Sequence, residues 1–181
     1  MKDTNIWNHA AYAGLALGSV STAYMFLTQF LGTSGLNPFI STALTFILWG
    51  AKFGGCIYIM ITFMKKAASE TPEADASTTF KFGMVASFLS ALVYAAATFA
   101  NIAYISADLM AEQYAKILDI YKSMMDSNSM SMIDDMMGRL PQISFFSNLI
   151  YCFIYGTLLS SILSRTIPGN NPFADGKLNE K

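Results

Sequence analysis

Polar residues in this chain are gathered into short islands, and between the islands lie four runs of almost unbroken apolar residues at 10–31, 39–64, 82–107 and 143–163. A bilayer core takes ~20 apolar helical residues to cross, so each run predicts a transmembrane helix. The connection after the first run contains Gly, Ser, Asn and Pro without a charge, which predicts a tight hairpin between spans one and two. Small residues recur every fourth position in span one (Ala10, Gly14, Gly18, Thr22), span three (Gly83, Ser87, Ala91, Ala95) and span four (Cys152, Gly156, Ser160, Ser164), with Gly50 and Gly54 in span two. In lipid, helix association rests on close packing, so stripes on all four spans predict a compact bundle.

The pattern changes after span three. Over 108–140 the apolar positions Met110, Tyr114, Ile117, Leu118, Tyr121 and Met125 return at helical spacing among charged residues, the signature of an amphipathic helix. Residues 126–129 interrupt it. A second short helix then carries Met132, Ile133, Met136 and Met137 on one face, with Ser131 and Asp134 spaced as a capping box and Gly138 as the stop. The expected fold class is an all-α integral membrane four-helix bundle with this amphipathic hairpin between spans three and four. Residues 1–167 make one transmembrane domain, and Pro168 and Gly169 open a polar, disordered tail over 168–181.

Charge sets the orientation. Lys2, Lys65, Lys66, Lys81, Arg165, Lys177 and Lys181, seven of the 11 basic residues, fall on one side. The other side has Lys116, Lys122 and Arg139 against Asp108, Glu112, Asp119, Asp126, Asp134 and Asp135. Both termini are therefore expected in the cytoplasm. A cleavable signal peptide is disfavoured, because the first apolar run exceeds the 7 to 15 residues of a signal core and no positive excess precedes it. Composition agrees with a lipid solvent: 13% of residues are charged, against ~25% in soluble domains. A net charge of -1 gives no basic field for nucleic acid.

One residue breaks the apolar rule. Lys52 lies at the middle of span two, where a charge costs ~2.5 to 3.5 kcal/mol and either interface is too far for its stem to reach. No acid lies inside any of the four runs, so its partner is neutral or external. Ser19, Ser21, Thr22, Tyr94 and Tyr155 share its depth. Three readings compete: a structural lysine satisfied by hydroxyls or carbonyls, a lysine that has shed its proton, and a cation that holds a phosphate or a partner carboxylate. Nearer the outside, Thr45, Asn101, Asn148 and Gln29 make a second polar layer, read first as groups that join helices. The candidate binding residues are Lys52, Tyr94, Tyr155, Asn101 and Asn148.

Other chemistry is sparse. Taking Lys52 and Tyr155 as midplane residues, Cys56 lies ~6 Å toward one face and Cys152 ~5 Å toward the other, a separation that disulfide geometry does not tolerate. Met124, Met125, Met130, Met132, Met136 and Met137 cluster in the outer segment. Thioethers are soft ligands for Cu(I), but without cysteine or histidine beside them they read as adaptable packing. His9 stands alone at an interface. No nucleophile with a base, metal-protease motif, phosphate loop or paired-cysteine motif occurs, so no enzyme, metal or cofactor is expected.

Several short features resemble one family: Met64-Lys65-Lys66, Phe80-Lys81-Phe82-Gly83 at the start of span three, Ala107-Asp108-Leu109 leading into the Met-rich segment, and Ser164-Arg165 followed by Asn171-Pro172-Phe173. The chain resembles the bacterial four-span family known as domain of unknown function 4199. The resemblance implies the four-span fold, a bacterial inner-membrane location and a membrane partner, with a polyprenyl-phosphate glycosyltransferase the candidate. It implies no mechanism. Two roles are expected to compete. The first is a non-catalytic accessory or scaffold protein packed against a membrane partner, which the stripes and the Met-rich segment favour. The second is a small transporter that binds a lipid-linked anion through Lys52.

Overall fold

A computed structural model describes residues 3–70, 76–121 and 126–167, and the side chains of all these except 3–6, 121 and 127. The proposed tail at 168–181, with its Asn-Pro-Phe motif, lies outside the described residues, as do Met124 and Met125. Among the described residues, four helices are long and apolar enough to cross a membrane, and the chain is an all-α multi-pass membrane protein. They are α1 (Asp3–Thr33), α2 (Pro38–Glu70), α3 (Ala76–Ala100) with a π-helical turn at Asn101–Ile105, and α6 (Leu140–Thr166). Between α3 and α6 come α4 (Ala107–Tyr121) and α5 (Ser127–Gly138).

The hairpin between α1 and α2 follows from its residues. Gly35 takes the left-handed conformation at φ 66°, which a residue without Cβ adopts freely. Asn37 then caps α2, its side chain accepting from the Phe39 amide at 3.0 Å, with Pro38 at the first helical position. At its far end α2 runs past Met64, where the apolar run stops, and Ala67 and Ala68 stay buried against the bundle. There His9 Nε2 meets Glu70 Oε2 at 2.8 Å, so the histidine expected to stand alone ties α1 to α2.

Helix α3 is central. It packs along α1 on one side and α6 on the other, while α2 packs mainly on α1. Of the most apolar 18-residue stretch of each helix, 39% is buried in α3 but only 6% in α2. Three of the four small-residue stripes explain this order. A methyl built on Gly14 would lie 2.6 Å from Leu89 Cβ, on Gly18 2.7 Å from Val93 Cβ, and on Gly156 2.6 Å from Ser87 Cβ. These contacts are too close for any side chain, so α1 and α6 touch α3 nearly backbone to backbone. Gly83 sits where α2, α3 and α6 converge, its absent methyl falling 2.8 Å from Ser160 Cβ and 3.0 Å from Met60 Cε. Ser160, fully buried, donates across to the Phe80 carbonyl at 3.1 Å.

The stripe on α2 does not pack. Around Gly50 and Gly54 a methyl would meet nothing within 4 Å. The apolar core lies instead at the end of the bundle that carries Lys65, Lys66 and Arg165, built from Ala10, Ala13, Leu17, Met60, Met64, Phe82 and Ala86. Toward the opposite end α2 and α6 do not pair along their lengths, and a cleft opens between them.

At that opposite end α3 finishes in the π-turn. Widening the helix there turns Ser106 back toward Asn101, whose carbonyl accepts from the Ser106 amide at 2.8 Å. The side chains then close a ring: Asn101 donates to Gln29 at 2.9 Å, Ser106 donates to Asn101 at 3.0 Å, and Gln29 donates to Ser106. Unpaired polar groups at this depth would cost several kcal/mol each. The ring satisfies all three and joins α1 to α3.

Helices α4 and α5 form the amphipathic segment, leaving Ile117, Ile120, Met132 and Met136 exposed. The Tyr114 hydroxyl donates to Asp134 and links the two. That carboxylate holds the phenol's proton and pushes its pKa up to about 12. Lys116, 2.7 Å away, holds Glu112 below the usual carboxylate range. The start of α5 differs from the expectation. Its N-cap is Asp126, accepting from the Ser129 amide at 2.9 Å, so the helix begins within the stretch expected to interrupt it. The spacing of Ser131 and Asp134 suggested a capping box, but Ser131 lies inside the helix and donates to the Asn128 carbonyl. Gly138 ends α5 as expected. Arg139 is the single joint to α6, where Pro141 has no amide to continue the preceding helix.

Candidate functional site

Between α2 and α6 lies a cavity of about 250 Å³, at the depth of Lys52. Each wall follows from helical spacing. Lys52, Cys56 and Met60 stand four residues apart on α2, and Leu17 and Ser21 do so on α1. Ser87, Ser90 and Tyr94 come from α3, and Tyr151, Cys152, Tyr155, Gly156 and Leu159 from α6.

The lysine is held by rings. Its Nζ lies 4.9 Å from the centroid of Tyr24 and 5.4 Å from that of Tyr94. An ammonium within ~6 Å of an aromatic face is attracted by the ring quadrupole, with ~2 kcal/mol or more gained where water is absent. Two faces from two helices therefore offset much of the cost of placing the charge at this depth. Among the described residues, the ion pairs are His9 with Glu70 and Lys116 with Glu112, and neither involves Lys52.

The mouth of the cavity is aromatic as well. Phe46, Trp49 and Phe53 form a ladder down α2, with centroids 5.8 and 5.6 Å apart, and Phe53 meets Tyr155 of α6 at 6.1 Å. All four rings, and Tyr151, are exposed on the outside of the bundle. The opening thus faces the lipid.

The structure brings together Lys52, Tyr94 and Tyr155 of the five candidate residues. Tyr94 holds the lysine through its ring face, while Tyr155 lies at the mouth. Asn101 belongs to the ring with Gln29 and Ser106, and Asn148 donates to the Ser144 carbonyl of its own helix at 2.8 Å; neither lines the cavity. Of the hydroxyls at the depth of Lys52, Ser21 lines the cavity and Ser19 and Thr22 do not. Gly50 and Gly54 stand two residues before and after the lysine, ~200° around the helix. They open the opposite face of α2 and leave the surroundings of Lys52 unchanged.

Tyr24 was missed by sequence reasoning. Its signal was present, since Leu17, Ser21 and Tyr24 share one face of α1 at helical spacing. The two thiols are free and both line the cavity.

No curated protein and no solved structure matches this chain. A family model described as a protein of unknown function, DUF4199, matches residues 9–165, which takes in all four membrane-spanning helices. The chain belongs to the DUF4199 family.

Proposed function

We propose that this protein is a non-catalytic accessory subunit of the bacterial inner membrane, with both termini in the cytoplasm, which packs the outward face of α2 against a transmembrane helix of a partner. The observation that carries this reading is the contrast among the glycines. Gly14, Gly18, Gly83 and Gly156 are filled by neighbouring helices, whereas Gly50 and Gly54, with the same four-residue spacing, face open space. A small-residue pair in an apolar helix costs side-chain packing unless another backbone comes close. Ile47 and Tyr58, both exposed, flank that pair on the same face. Helix α2 is also the least embraced of the first three, so a partner can lie along it without disturbing the core around α3.

Purification of the tagged protein in mild detergent tests the role. A membrane protein recovered in equal amount, and lost with Gly54→Leu, supports it. A polyprenyl-phosphate glycosyltransferase is the first candidate for that protein. Recovery of a lone, monodisperse chain that moves labelled lipid between leaflets of liposomes refutes it in favour of a transporter.

A further inference from the structure

The cavity lies on the other side of α2 from the glycines, and its chemistry points to a different ligand. We infer that it holds the head of a single-chain amphiphile carrying one carboxylate, with Lys52 as counter-ion and the hydrocarbon chain leaving between α2 and α6.

Four features select this class. The first is charge. Lys52 stands at mid-depth with aromatic faces on two sides and no acid beside it among the described residues. A cation so placed attracts one anion, and a single negative charge matches it. A phosphate monoester approaches two charges at neutral pH and would leave one uncompensated where desolvation is severe. The second is hydrogen bonding. Ser90 lines the cavity with a hydroxyl that has no hydrogen-bond partner among the described residues, so a donor is free for a carboxylate oxygen. The third is size. About 250 Å³ is less than the ~300 to 1,000 Å³ that encloses a drug-sized molecule, so it takes a small head and the first carbons of a chain. The fourth is access. Trp49, Phe53, Tyr151 and Tyr155 line the mouth with rings exposed on the outside of the bundle, a path suited to a hydrocarbon tail.

The inference stands apart from the partner reading, because it uses the opposite face of α2 and the purified chain alone. Trp49 lies on the cavity wall, so a Trp7→Phe variant in nanodiscs of neutral phosphatidylcholine reports on it by fluorescence. Titration with dibrominated stearate, whose bromines quench indole, is expected to give saturable quenching, and its methyl ester only a weak, linear loss. Lys52→Met should weaken the saturable phase by at least about tenfold, and Lys52→Arg should retain it. Equal quenching by acid and ester in the unmutated cavity overturns the inference without requiring any lysine variant to fold. So does saturable quenching that survives Lys52→Met. A brominated alkyl phosphate that binds more tightly than the carboxylate would overturn the charge match, and saturable binding of the acid only after a partner is added would assign Lys52 to that partner.

Discussion

Lys52 Nζ lies 4.9 Å from the centre of the Tyr24 ring, which fastens a cation of α2 to an aromatic face of α1. The face supplies the attraction, so Tyr24→Phe should be neutral. Tyr24→Leu should destabilise the bundle by about 1–2 kcal/mol. In a Lys52→Met background the loss should shrink, since the charge that needs the ring is gone. Unfolding by sodium dodecyl sulfate, followed by circular dichroism, measures all four corners. An unchanged cost in the Lys52→Met background would mean that Tyr24 acts by packing alone.

The glycines divide into two sets that predict opposite outcomes. Gly14→Leu must push Leu89 and the Ala86 carbonyl aside and should cost about 1–3 kcal/mol or more. Gly54→Leu meets nothing within 4 Å and should leave the isolated protein within about 0.5 kcal/mol of its parent. The same detergent titration reads both.

Asn101→Leu removes two of the three hydrogen bonds of the ring and leaves only Gln29 donating to Ser106. A loss of about 1–2 kcal/mol is expected. Hydrogen exchange should rise at the end of α3 and the start of α4, with little change around Gly83 at the other end of the bundle.

At the outer segment, the Ser129 hydrogen bonds hold Asp126 below the usual aspartate range. A depressed carboxylate contributes its stability above the unfolded value, near pH ~4, and loses it as pH falls through the lower folded value. The first turn of α5 should therefore exchange faster with deuterium in acid. Asp126→Ala should show that fast exchange at neutral pH, and Asp126→Asn, which keeps an acceptor, should show much less.

Much of this was legible along the chain, for physical reasons. Apolar runs of bilayer length left no alternative to four spans, and small residues at every fourth position marked the faces of α1, α3 and α6 that meet. Periodicity names a face but not its partner. The stripe at Gly50 and Gly54 thus read like the other three, although three-dimensional neighbours fill only those three. Tyr24 was not legible as the partner of Lys52 because it acts through its ring face and not through its hydroxyl. The π-turn was not legible, since the groups that meet beside it, Asn101 and Gln29, lie far apart along the chain. At α5, Ser131 read as the cap, but Asp126 caps the helix earlier by accepting from the Ser129 amide, within a stretch that looked like a break.

The claim that α2 offers its glycine face to another protein is tested most directly by a photo-crosslinking amino acid placed at Ile47 and at Tyr58 in living membranes, with Ile162 of α6, also exposed, as the control. One discrete adduct is expected from both α2 positions, with a mass different from that of two copies of this chain, absent at Ile162 and abolished by Gly54→Leu. Adducts with lipid only, an adduct between two copies of this chain, or a protein adduct that survives Gly54→Leu would contradict it.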